Sequence, residues 1–133
     1  MNRILASAGA LYGLAAVVFG AFGAHALEAR ISPERIEVWN TGAHYLGWQG
    51  TALLALAAVS WCAPMPSGAR RLLGTAGWLL VFGALIFSGS LFLLVLSGIG
   101  ALGAITPVGG VLMVIGWACA LAALLQIKTA TDA

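Results

Sequence analysis

A chain of 133 residues in which 62% are hydrophobic and 8% are charged cannot cover itself with a polar surface. Soluble domains average about 25% charged residues, so the medium that suits this composition is lipid. The length allows one domain, residues 1–133; the net charge of +2 comes from a few basic groups at membrane edges, which anionic headgroups explain and nucleic acid does not.

The charged residues leave three long charge-free stretches, 4–27, 38–69 and 72–127. A membrane-crossing helix needs roughly 20 apolar residues at 1.5 Å each, so the last stretch is too long for one helix and folds at "SGIGALGAITP", Ser97 to Pro107. The spacing predicts an all-α integral membrane four-helix bundle, with helices at about 4–27, 44–63, 72–97 and 105–127.

In helix one, "AHA" at Ala24 to Ala26 imitates a signal-peptide cleavage site, but the apolar run is longer than the 7 to 15 residues of a signal h-region and is read as a span. Gly9, Gly13, Ala16, Gly20 and Ala24 form a small-residue ridge. In lipid, helices associate by such close backbone approach, so Gly20→Leu is expected to disrupt the bundle.

The segment "ISPERIEVWNTGAHY" is the one long polar connection. Ser32 suits an N-cap, Pro33 a first helical turn and Glu34 the positive end of the dipole. With Ile36, Trp39 and Ala43 at spacings of three and four, it reads as a short interfacial helix between helices one and two, anchored by Trp39 and open to a bend at Gly42.

Helix two carries Gln49 and Thr51, expected about one to two turns below the outer surface and bonded to a neighbouring helix. "PMPSGARR" stops it. Helix three carries Ser88 and Ser90, which can bond back to backbone carbonyls and have no acid or histidine on their helix to make a nucleophile. The glycine-rich joint lacks the strand and the Lys-Ser or Lys-Thr of a phosphate loop, and no cofactor motif occurs. Pro107 suits the first turn of helix four, and Gly109, Gly110 and Gly116 offer close approach.

An even number of spans puts Arg3, Arg70, Arg71 and Lys128 on one side and Arg30 and Arg35 on the other, which predicts both termini in the cytoplasm of a bacterial inner membrane. Cys62 and Cys119 then face a reducing compartment at different depths and are expected as free, buried thiols.

His25 ends helix one and His44 begins helix two, so the two imidazoles are expected at similar depth, near Glu28, Tyr45 and Gln49. His25 and Glu28, three apart, would share a helix face. These five form the candidate polar cluster, and no catalytic set is assigned. His25, Glu28 and His44 are weak candidates for a copper or zinc site, alternatives being a proton-sensitive network or hydrogen bonds at helix ends.

"FGAFGAHAL" at 19–27, "WNTGAHY" at 39–45, "FSGSLFLLVLSG" at 87–98, "LGAITPVGG" at 102–110 and "IGW" at 115–117 together resemble the small four-helix membrane proteins related to bacterial YgdD and human transmembrane protein 256, a family of unknown function. The resemblance covers nearly the whole chain. The family tends to Thr-Gly-Val-Gln-Tyr followed by Tyr-His-Ala; here His44 stands at the glutamine and Gln49 at the histidine position. That exchange would move a metal ligand by over ~7 Å along the helix, which favours a polar network over a rigid metal site.

The leading reading is a non-enzymatic structural or accessory protein, in contact with membrane lipids and open to a homo-oligomer or a membrane-protein partner. A transporter or channel is the alternative, although polar groups reach only part way across. A metal-binding protein and a lipid-modifying enzyme using His25 or His44 with Glu28 complete the set.

Overall fold

The computed structural model describes residues 3–127, and all of their regular structure is helical. α1 runs Arg3–Phe22 and continues through one widened π-turn, Gly23–Leu27; α2 runs Pro33–Cys62, α3 Ser67–Ser97, and α4 Thr106–Leu124 after a 3₁₀ turn at Gly100–Ala104. Arg3–Leu27, Ser67–Ser97 and Gly100–Leu124 are each long and apolar enough to cross a membrane. α2 is less apolar, but at 30 residues it is long enough. It lies antiparallel to α1 along that helix's length, Trp39 against Gly23 at one end and Gly50 between Gly9 and Gly13 further in.

The polar segment expected as a short helix of its own is helical, and it is the first third of α2, which begins at Pro33 rather than His44. Gly42 does not break it. Its bare face receives the ring of Phe92 from α3, where an added Cβ would lie 2.8 Å from Phe92 Cε1, so the glycine serves packing instead of a bend. Ser32 occupies the N-cap in extended backbone, yet its side chain makes no capping bond. The Ser32 hydroxyl donates instead to Glu34, and together with Glu34's own backbone N–H it holds that carboxyl below the usual carboxylate range. The charged form is therefore favoured by folding, an effect present above the ordinary carboxylate pKa and lost as pH falls through the lowered one.

Close backbone approach joins the helices in pairs. Between α1 and α2, a Cβ on Gly9 would meet the Gly50 carbonyl at 2.8 Å, and one on Gly50 would meet the Gly13 nitrogen at 2.9 Å. Between α3 and α4, Gly83 and Gly109 touch through their backbones, and Gly116 sits against Leu79 and Leu80. α3 packs on α2 over its length and reaches α1 where Leu5 covers Gly77 and where the Tyr12 hydroxyl donates to the Val81 carbonyl at 2.7 Å. α4 packs along α3 and the turn before it; neither α1 nor α2 packs along α4. The result is a cluster of three helices with the fourth laid against one side.

The C-terminal part of the expected ridge on α1, Gly20 and Ala24, is not used this way. Around Gly20 an added Cβ meets nothing within 4 Å, because this glycine faces the shallow groove it shares with Asn40, His44 and Gly47 of α2, and Ala24 is exposed. Gly20→Leu should therefore leave the bundle intact, with a change in stability of about 0.5 kcal/mol or less. A thermal midpoint in detergent equal to that of the unaltered protein is the expected reading; a large drop would show that α2 closes on this glycine.

The C-terminal end of α3 is capped from two directions. Gly98 adopts the left-handed conformation, φ 73°, and donates its N–H to the Leu94 carbonyl at 2.9 Å. The Arg35 guanidinium, from the first turns of α2, donates to the Val95 carbonyl, placing a cation on carbonyls that have no intrahelical partner. Ser90 of α3 bonds back to the Phe87 carbonyl at 2.9 Å and meets the Thr106 hydroxyl at 2.7 Å, which fixes the start of α4 beside it. Pro107 sits in the first turn of α4, where its missing N–H costs nothing. Both cysteines are free; Cys119 is half-buried, whereas Cys62, expected buried, is exposed at the end of α2.

Candidate functional site

The five residues of the expected polar cluster fall in three places. His25 and Glu28 are exposed at the C-terminal end of α1. There the bond from the Glu28 N–H to the Gly23 carbonyl, 3.0 Å, spans five residues, and the three-residue spacing that aligns side chains on an α-helix does not align them on this wider turn. His44 lies elsewhere, in a shallow groove against Ala16, Val17 and Gly20. At 1.5 Å per residue that is about 10 Å inward of His25, so the imidazoles do not share a depth. The cause is the early start of α2, which puts His44 about three turns into the helix instead of at its mouth. Among the described residues no three His, Cys, Asp or Glu side chains gather as a metal-holding group.

Tyr45 and Gln49, one turn apart on α2, do come together. They line a groove that does not include His44, and the Gln49 side-chain oxygen accepts no hydrogen bond from it. The Tyr45 ring packs on Phe87 of α3 at 4.4 Å between centroids and on Trp48 at 5.2 Å. With Gln49 these side chains form one wall of a groove of about 590 Å³ whose far wall is α4, from Pro107 to Trp117, and whose floor includes Phe87 and Met113. The groove exists because α4 packs on α3 alone and leaves a gap toward α2.

Gln49 is only 4% exposed, and its side-chain oxygen has no hydrogen-bond partner. Its neighbour Gly50 sits between Gly9 and Gly13, so Gln49 is level with the middle of α1 rather than near the outer surface as expected. A buried amide oxygen left unpaired costs about 1–3 kcal/mol, and hydrocarbon offers no water to relieve it. Ser88 presents the same condition: it is fully buried and its hydroxyl is unpaired, in contrast to Ser90 and to Thr51, which bonds back to the Gly47 carbonyl at 3.0 Å. Ser60 is the third such group.

Sequence reasoning missed the aromatic knot where the end of α1 meets the start of α2. Trp39 is 2% exposed and donates its indole N–H to the Phe19 carbonyl at 2.7 Å, where α1 is about to widen. Phe19, Phe22 and Phe92 surround its ring at centroid distances of 5.8, 5.6 and 4.6 Å. The available signal was the glycine at 23: a Cβ there would lie 2.7 Å from Trp39 Cδ1, so this glycine is the seat of the indole.

Comparison with known proteins places this architecture among relatives of undefined role. The family model described as "Protein of unknown function (DUF423)" matches residues 19–110, which takes in the knot and both walls of the groove as far as Gly110. The UPF0382 membrane protein YwdK of Bacillus subtilis is 45% identical over 109 residues, covering 82% of this chain and 85% of its own. UPF0382 membrane proteins of Staphylococcus aureus and Staphylococcus saprophyticus are 44% and 43% identical over the same length, covering 82% of this chain and 84% and 86% of theirs. No solved structure matches the chain.

Proposed function

The chain belongs to the DUF423 family of small integral membrane proteins, and from that premise we propose that it is a non-enzymatic structural or accessory protein of the bacterial plasma membrane. The observation that supports this reading most directly is the filling of its centre. Leu5, Leu53, Leu56, Leu73 and Leu80 are all buried, the last of them against Gly116 of α4, and the three unpaired polar atoms of Gln49, Ser60 and Ser88 belong to residues set apart among apolar side chains instead of lining one continuous route. A permeation path needs polar lining through the membrane. An acid–base enzyme needs its groups within hydrogen-bond reach of one substrate, whereas His25 and His44 are set about 10 Å apart in depth.

The test is water access. In a protein whose own cysteines are replaced by serine, single cysteines at Leu53, Leu56 and Leu80 should resist a membrane-impermeant maleimide from both sides of a vesicle. Labelling at all three would indicate a water-filled path and favour transport.

We further propose that both termini are cytoplasmic. Arg3, Arg70 and Arg71 lie at one end of the bundle, and Lys128, the remaining basic residue assigned to that side, is outside the described residues. Of the two arginines at the other end, Arg35 is engaged with the last carbonyls of α3, which leaves Arg30 to stand against them. A homo-oligomer, or a membrane-protein partner, belongs to the same proposal: Gly20, Gly74 and Gly89 keep open faces at which a Cβ would meet nothing within 4 Å.

A further inference from the structure

The groove between α2 and α4 goes beyond an accessory role, because it combines features that lipid alone does not satisfy. Its volume of about 590 Å³ is of the size that holds a small organic molecule. Its lining is ring-rich, with Tyr45, Trp48, Phe87 and Trp117, and Gly110 leaves the α4 wall open. Within this apolar surface stands the Gln49 amide, nine-tenths and more buried, with its oxygen unpaired. Rotation about the terminal bond exchanges its oxygen and nitrogen, so the amide can offer a donor or an acceptor to whatever enters.

Three occupants can be weighed. An acyl chain fills the space but leaves the amide without a partner. A transmembrane helix of a partner or a second copy docks where small residues let backbones approach, and the α2 wall here presents Tyr45, Trp48 and Gln49 instead. A flat ring bearing oxygen substituents satisfies both conditions: it stacks on the aromatic side chains and bonds the amide. We infer that the groove binds a membrane-dissolved molecule of the quinone class, ring inward against Phe87 and one ring oxygen on the Gln49 amide.

The position of Gln49, level with the middle of α1, requires that ligand to arrive through hydrocarbon, and the groove opens sideways toward lipid between α2 and α4. A water-soluble phenol or nucleotide has no such route. The Tyr45 hydroxyl, one turn away on the same wall, offers a second polar group to the ring.

The test uses the full chain in lipid nanodiscs, titrated with decylubiquinone and followed by quenching of tryptophan emission, since Trp48 and Trp117 both line the groove. Saturable quenching is expected for the unaltered protein. Gly110→Leu should abolish it with the fold intact, because a Cβ at that position meets only Phe87 Cδ2, at 4.0 Å, and the longer side chain extends into the groove. Gln49→Leu should weaken binding about tenfold, the loss of one hydrogen bond, and should melt no lower than the unaltered protein because it removes an unpaired polar group.

Non-saturating quenching that is the same in Gly110→Leu would overturn the inference, as would unchanged binding in Gln49→Leu. So would a fall in native mass from oligomer to monomer in Gly110→Leu, which would assign the groove to a second copy. None of these results bears on the maleimide test of the closed core, so the two proposals fail separately.

Discussion

Gly109→Leu is expected to separate α4 from the rest of the protein. A Cβ at this position would lie 2.5 Å from the Phe87 nitrogen, 2.6 Å from the Gly83 carbonyl oxygen and 2.9 Å from Phe87 Cα. All three are backbone atoms, so no side chain can turn aside to make room. Overpacking a core costs about 1–3 kcal/mol where neighbours can shift, and a helix backbone shifts only as a body. Since α4 has no other helix packed along it, forcing it away from α3 at this point removes its one attachment to the bundle. In lipid nothing drives it back, because hydrocarbon covers the freed face as readily as α3 does.

The measurement is a pair of neighbouring variants. Gly109→Leu should lower the thermal midpoint in detergent markedly and expose the turn at Gly100–Ala104 to protease. Gly110→Leu, one residue on and facing the groove, should leave both unchanged, with an effect of about 0.5 kcal/mol or less. Equal behaviour of the two would mean that α4 rotates about its axis to accommodate either side chain, and that the close approach of Gly83 and Gly109 is not what holds the helix.

The same contrast between neighbouring glycines marks what is legible in the chain and what is not. Breakers and charges act locally, so the helix count follows from where charges interrupt the apolar stretches and from the length of the last one, and Ser32-Pro33 and Pro107 mark points where a helix starts. The first of these starts α2 itself and not the separate short helix expected there. Which glycine is used does not follow. Gly9, Gly50, Gly83, Gly109 and Gly116 are in backbone or close side-chain contact, whereas Gly20, Gly74 and Gly110 are open. The difference lies in the rotation of each helix against its neighbour, set by tertiary packing and invisible to spacing alone.

The depth of the polar residues is hidden from the sequence for a related reason. Glu34, Arg35 and Glu37 make the start of α2 look like a separate surface element, which sets the expected membrane edge at His44 and puts Gln49 near it. In the structure those charges ride on the same helix: Arg35 is spent on the α3 carbonyls and Glu34 is held at the N-terminus with Ser32. Counting from Pro33, and with α1 prolonged through Leu27, Gln49 is near the middle of the bundle and His44 is well inside its mouth. A helix that shelters its own polar end against a neighbour defeats any rule that sets boundaries by hydropathy.

Trp39→Ala is expected to cost more than any other single side-chain truncation at this end of the bundle, where α1 ends and α2 begins. The indole is 2% exposed, touches three phenylalanine rings and fills the space left by Gly23, so its removal leaves a cavity bounded by α1, α2 and α3 together. Truncating a buried Trp or Phe to Ala costs about 3–5 kcal/mol. It also strips the Phe19 carbonyl of the N–H it accepts at 2.7 Å, just before α1 widens into its π-turn. Trp39→Phe separates the two losses: it keeps most of the ring and removes only the donor, for about 1 kcal/mol. The expected order of thermal midpoints is therefore unaltered protein, Trp39→Phe, Trp39→Ala, and amide exchange over Gly23–Leu27 should quicken in the same order. If Trp39→Ala melted with the unaltered protein, the rings would be close only because lipid leaves them nowhere else to go, and the attachment of α1 to α2 would rest on Gly9 and Gly50 alone.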